Sequence, residues 1–149
     1  MSENNECINV LQNIILDDNI DFIDALFILQ DFLISNNILD YQINRILDIY
    51  SKKIKNISKY NNYDQDIIFL LLYSSIMLYN DLANPQVINK IKHNEFIKML
   101  ENINNDQLTF DVLSNIYNKI YDKIKDKNIE NNKLHDKTIL TCKKSCIIL

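Results

Sequence analysis

The chain has 149 residues, 47% of them hydrophobic, a formal net charge of −4, one proline, three cysteines and no glycine. That length supports one domain with its own core, and the mildly acidic balance concentrates no basic face able to hold phosphates, so nucleic acid is not expected as a partner. Phosphate-cradling loops use glycine for positive φ and close backbone approach, so its absence argues against P-loop GTPases, Rossmann enzymes and protein kinases.

Residues 1–6 are polar and acidic, carry no signal-like run and are expected to be a flexible N-terminus. Residues 7–17 predict a short helix with Ile8, Leu11, Ile14 and Ile15 on one face. Asn19 or Asp21 can cap a second helix running to about Ile34, in which Phe22, Ile23, Leu26, Phe27, Leu29, Phe32 and Leu33 would be buried. Ser35-Asn36-Asn37 breaks it. A third helix, about 39–56, carries Ile43, Ile46, Leu47, Tyr50 and Ile54 at helical spacing, with Lys52, Lys53 and Lys55 at the end the dipole prefers.

Asn56 to Tyr63 reads as a loop, with Asp64 as the cap of a fourth helix, 65–81. That helix is apolar on nearly all sides and should be central and buried. Residues 92–103 predict a fifth helix. Thr109 caps a sixth, where Phe110, Leu113, Ile116, Tyr117, Ile120 and Ile124 recur at three and four. After Lys125 the periodicity ends, so 126–149 is expected to be a disordered tail. The expected class is all-α, with asparagine-rich turns replacing glycine ones, since asparagine is the next-best residue for a left-handed cap.

Cys7, Cys142 and Cys146 are too few and scattered for a disulfide framework or a zinc site. His93 and His135 lack partners at ligand spacing and read as exposed polar residues, so no metal and no cofactor are expected. The most apolar run, Ile67 to Tyr79, is shorter than the ~20 residues that span a bilayer.

The run from Ile76 to Ile103, IMLYNDLANPQVINKIKHNEFIKMLENI, has polar positions that a core does not demand. It resembles the second signature of the Sec-seven domain, the module that loads Arf-type small GTPases. Ile76, Met77, Leu78, Asp81, Leu82, Asn84, Pro85, Val87, Phe96, Ile97, Ile103 and Asn104 match that signature. Tyr79, Asn80, Ala83 and Asn102 depart from it, standing for Asn, Thr, His and Gly. Ala25-Leu26, Ile43-Asn44-Arg45-Ile46-Leu47, Asp64 to Tyr73 and Leu108 to Ile124 resemble further segments of the family. The resemblance covers about 9–125, the C-terminal part of the family domain, without the helices that usually come first. It implies a right-handed array of about six helices over 7–125, an Arf-family GTPase as partner, and Met77, Tyr79, Asn80, Asp81 and Asn84 as the residues that touch it.

The same resemblance places an exchange finger between the second and third helices. The family's Pro-Gly-Glu loop there sends a glutamate into the GTPase phosphate site. The carboxylate repels the β-phosphate, disturbs the magnesium site and competes for the phosphate-binding lysine, which requires negative charge at close range. This chain reads Asn37-Ile38-Leu39-Asp40, with Leu39 at the finger position and Asp40 one residue later. Asp40 is the candidate catalytic carboxylate, one methylene shorter than the family's.

The final residues, Cys146-Ile147-Ile148-Leu149, have the form of a prenylation box, and Leu149 favours geranylgeranyl on Cys146. One lipid anchors only marginally. Cys142 as a palmitoylation site, and Lys133, Lys137, Lys143 and Lys144 facing anionic lipid, are candidate second signals. The expected location is the cytosolic face of membranes in a eukaryotic or infected host cell. The leading expectation is a membrane-tethered GTPase-binding protein that promotes GDP/GTP exchange. The alternative is a non-catalytic helical interaction protein, a GTPase decoy or peptide-binding module.

Overall fold

A computed structural model describes residues 2–101, 103 and 106–134, without the side chains of 2–5 and 129–134. Its helices are α1 (Ser2–Asn13), α2 (Phe22–Ser35), α3 (Asp40–Lys55), α4 (Gln65–Ala83), α5 (His93–Glu101) and α6 (Phe110–Leu134), with a 3-10 turn at Ser58–Tyr60. No strand occurs among the described residues. The all-helical class is as expected. The chain divides into two compact units, one up to Ser74 and one from Ser75 onward.

In the first unit the three-and-four spacing of α2 and α3 turns into burial. Ile23, Leu26, Leu29, Phe32 and Leu33 of α2 and Ile43, Ile46, Leu47, Tyr50 and Ile54 of α3 are all buried. The Tyr50 hydroxyl donates to the Ala25 carbonyl, so this buried polar group is satisfied. Burial pushes its pKa well above the usual tyrosine value. Lys53 Nζ donates to the carbonyls of Gln12 at 2.6 Å and Ile14 at 3.0 Å, tying the end of α1 to the last turns of α3. Asp21 is at the N-cap of α2 but makes no capping bond; its carboxylate accepts from Lys59 Nζ at 2.6 Å.

The break after α2 is a left-handed cap made without glycine. Asn37 has φ of 50°. The Ile38 N–H reaches the Leu33 carbonyl at 3.3 Å and the Asn37 N–H reaches Ile34 at 3.4 Å, the paired bonds of a Schellman motif. Asn36 adds its side-chain amide to the Phe32 carbonyl at 2.8 Å. Ile38 is buried, giving the motif its apolar contact.

In the second unit Phe96, Ile97 and Leu100 of α5 are buried, as are Leu113, Ile116, Tyr117, Ile120 and Ile124 of α6. Thr109 Oγ1 accepts from the Val112 N–H at 3.3 Å, the expected N-cap.

Several boundaries differ from expectation. Residues 2–6 are helical, and α1 ends at Asn13 rather than near 17. α6 continues past Lys125 to Leu134, where local helix propensity carries on after the apolar stripe has ended; the remainder of the expected tail lies outside the described residues. α4 is 19 residues, long and apolar enough to cross a membrane by length and composition alone, yet 56% of its most apolar window is buried, as in a core helix.

Asn37 sets a test of the cap. Asn37→Val is expected to lower stability by about 1 kcal/mol or more, because a β-branched residue resists positive φ. Asn37→Gly should stay within about 0.5 kcal/mol, its backbone ease offset by a freer unfolded chain. Urea unfolding followed by circular dichroism checks both.

Candidate partner-binding site

The segment that follows α4 is held by its own polar residues. The Asn84 N–H continues the helical ladder to the Asn80 carbonyl at 3.0 Å. Its side-chain oxygen then accepts from the Gln86 N–H at 2.9 Å, and its carbonyl accepts from the Val87 N–H at 3.2 Å. Together with Pro85 these bonds close a tight turn.

Asp81 closes the rest of the loop. Its carboxylate accepts from the Ile91 N–H at 2.7 Å, ten residues along. Lys90 Nζ donates to the Asp81 carbonyl at 3.1 Å, one of the orphan carbonyls in the last turn of α4, and to the carbonyl of Asn84 in the turn that follows at 2.8 Å. Ile91 is pinned from its other side by Tyr117, whose hydroxyl donates to the Ile91 carbonyl at 2.8 Å. Burial pushes the Tyr117 hydroxyl pKa up, and the charges of Tyr121, Asp81 and Glu95 add to it.

Of the expected contact residues, Met77, Asn80, Asp81 and Asn84 are half-buried. Asp81 and Asn84 spend their side chains on the loop. Tyr79 is buried rather than on a rim. Its hydroxyl accepts from Lys127 Nζ at 2.7 Å, and that ammonium lies 5.5 Å from the ring centroid. What the loop does present is Ile88, 91% exposed. No helical period marks Ile88 in the sequence, where it stands beside Val87 in a loop of mostly polar residues.

His93, expected to be an exposed polar residue, is half-buried. Its Nε2 is 2.8 Å from Ser114 Oγ and its ring meets Tyr117 edge-on at 5.2 Å. His135 lies outside the described residues. Among the described residues no cluster of His, Cys, Asp and Glu could hold a metal ion.

The loop at the expected finger belongs to the first unit. Leu39 is the N-cap of α3, 54% exposed, and its N–H donates to Gln42 Oε1 at 2.9 Å. Leucine has no side-chain acceptor, so only the glutamine half of a capping box is formed. Asp40 is the first helical residue and exposed, in the first turn where a carboxylate favours the dipole. Cys142 and Cys146 lie outside the described residues.

The Asp81 bond is the part most open to measurement. Hydrogen bonds to charged groups contribute about 1.5–3 kcal/mol, so Asp81→Ala should speed amide exchange at Ile91 by at least about tenfold. Lys90→Met should speed it less, since Lys90 holds carbonyls and not this N–H.

Residues 3–129 match the family model described as Sec7 domain, the Sec-seven family. A 55-residue stretch is 46% identical to Brefeldin A-inhibited guanine nucleotide-exchange protein 1 of human and of rat. The alignment takes in 36% of this chain and 3% of each relative, so the chain spans a small fraction of their length. No solved structure matches. With the family model running through all six helices, from α1 into the last turns of α6, the chain belongs to the Sec7 domain family.

Proposed function

We propose that this chain binds small GTPases of the Arf family through the end of α4 and the loop that follows it, and that it drives nucleotide exchange weakly. The family membership and the exchange-protein relatives support the partner class. The observation that carries the weak-exchange half is Leu39. At the position where the family resemblance calls for a glutamate, the residue at the N-cap of α3 carries an exposed aliphatic side chain.

An alkyl group exerts no Coulombic force on a β-phosphate or a magnesium ion. Asp40 supplies the nearest charge along the chain, but it is one residue further on and already in the helix. A step of one helical residue turns a side chain by about 100°, and a displacement of about an angstrom can cost on the order of a hundredfold in rate. Asp40 therefore supports only residual exchange.

The engagement of Asp81 and Asn84 in the loop, and the burial of Tyr79, favour a second reading of the same site, in which the chain holds a GTPase without exchanging it. In both readings the contact is made by the loop surface around Ile88 and Met77, with Asp81 and Asn84 setting its shape.

The decisive measurement is release of a fluorescent GDP analogue from Arf, alongside direct binding. Wild type should bind at micromolar protein and accelerate release by less than about tenfold, and Leu39→Glu should raise the rate by at least a further tenfold or so. Asp40→Lys should remove the residual acceleration. Absence of binding by wild type would reject both readings. Binding with rapid release by wild type would reject the role assigned to Leu39.

Membrane attachment is the finer part of the proposal. Cys146-Ile147-Ile148-Leu149 has the form of a prenylation box; processed as one, it would put a geranylgeranyl group on Cys146, and a palmitoyl group on Cys142 would give the second signal that stable anchoring requires. Intact-mass measurement of the protein made in a eukaryotic cell should show one isoprenoid, lost in Cys146→Ser. Cys142→Ser should keep the isoprenoid and shift protein from membrane to soluble fractions. An unmodified mass for the wild type would remove the anchor from the proposal.

A further inference from the structure

We propose that the cleft between α1 and α3 in the first unit is a binding site for a small organic monoanion with an apolar body, of the aryl- or alkyl-carboxylate kind. The cleft has a volume of about 200 Å³ and is lined by Cys7, Ile8, Tyr41, Gln42, Arg45 and Ile46. Cores are packed nearly as densely as organic crystals and hold few voids larger than a water. This space is a cleft open to solvent rather than a void in the core, and it is several times a water's share of liquid volume of about 30 Å³.

Its chemistry is divided. Ile8 and Ile46 offer an apolar wall, and Ile46 is buried. The guanidinium of Arg45, which also lines the cleft, makes no hydrogen bond or ion pair with any described residue. Both salt bridges among the described residues involve lysines, Lys52 with Asp48 and Lys59 with Asp21. Among the described residues that line the cleft there is no carboxylate to neutralise the guanidinium. A guanidinium presents a planar fork that fits a carboxylate with two parallel hydrogen bonds. Tyr41, 71% exposed, stands one turn before Arg45 and adds a flat apolar surface at the rim.

The donor set selects the ligand class. One cation beside an apolar wall suits a single negative charge; a phosphate dianion would leave oxygens without partners. Among the described lining residues the Cys7 thiol has no second soft or acidic ligand, a set that does not suit a metal. At interior packing density the volume holds roughly ten non-hydrogen atoms. That is an aromatic ring or short chain, with its charged end at Arg45.

The site also has a local read-out. Gln42 lines the cleft and accepts the Leu39 N–H at 2.9 Å. Cys7 lines it too, and its Sγ lies 4.0 Å from Asn36 Oδ1. Occupancy is therefore visible both at the start of α3 and at a thiol, whatever the chain does to a GTPase.

The test uses the full chain carrying Cys142→Ser and Cys146→Ser, so that Cys7 is the one thiol. The probes are 3-phenylpropionate, neutral 3-phenylpropanol and cationic 3-phenylpropylamine. The acid should shift the amide resonances of Ile8, Leu39, Gln42, Arg45 and Ile46 and protect Cys7 from N-ethylmaleimide, with at least roughly fivefold tighter binding than the alcohol or the amine. Arg45→Gln, a change at an exposed position, should make acid and alcohol bind alike, and Arg45→Lys should keep part of the preference. Equal binding of all three probes to the starting protein would overturn the proposal. So would resonance shifts confined to other residues, or no effect up to about 10 mM acid, the weak end of measurable affinity.

Discussion

Every α-helix ends in carbonyl groups that have no partner inside the helix, and a chain without glycine has lost the easiest way to satisfy them. This protein meets that constraint with asparagine and lysine side chains. Asn37 takes the left-handed position after α2 and Asn36 caps from its side chain. Lys53 covers the carbonyls at the end of α1, and Lys90 covers one in the last turn of α4 and one in the turn that follows. Lys55 does the same for the turn carbonyls of Asn61 and Tyr63. The helix ends are thus held by side chains reaching back, and the loop after α4 owes its shape to one of them.

The loop after α4 shows how this affects function. Asp81 and Asn84 match a family signature, and sequence resemblance alone casts them as contact residues. In the fold their polar atoms are engaged with Ile91, Gln86 and Val87. A signature position can be kept for the loop's architecture as readily as for its surface. The finger position illustrates the reverse case. The backbone there is well ordered by the α2 cap and the Gln42 bond, while the side chain that would supply the chemistry is aliphatic.

Much of the fold was legible because apolar spacing at three and four is a direct imprint of one buried helix face. α2, α3, α4 and α5 lie within about two residues of where the pattern puts them, and Thr109 caps α6 as its position implied. The ends of the chain were harder. Residues 2–6 and 126–134 are helical without an apolar stripe, so a reading based on burial leaves them out. That omission also hides the surroundings of Tyr79. Its partner, Lys127, stands in the unforeseen extension of α6, and without it a tyrosine in a signature reads only as a contact residue. His93 was misread for a similar reason, since Ser114 and the Tyr117 ring come from a helix 21 or more residues away.

The lysines that brace the helix ends change how the molecule meets amine-directed chemistry. Lys53, Lys55 and Lys90 are half-buried with their ammonium groups engaged by backbone carbonyls, whereas Lys92, Lys98 and Lys125 are exposed. Acylating reagents, crosslinkers and conjugating enzymes would find the second set first. Acetylation of the first set would cut the struts at the ends of α1 and α4, so a mark that elsewhere only alters charge would here loosen the architecture.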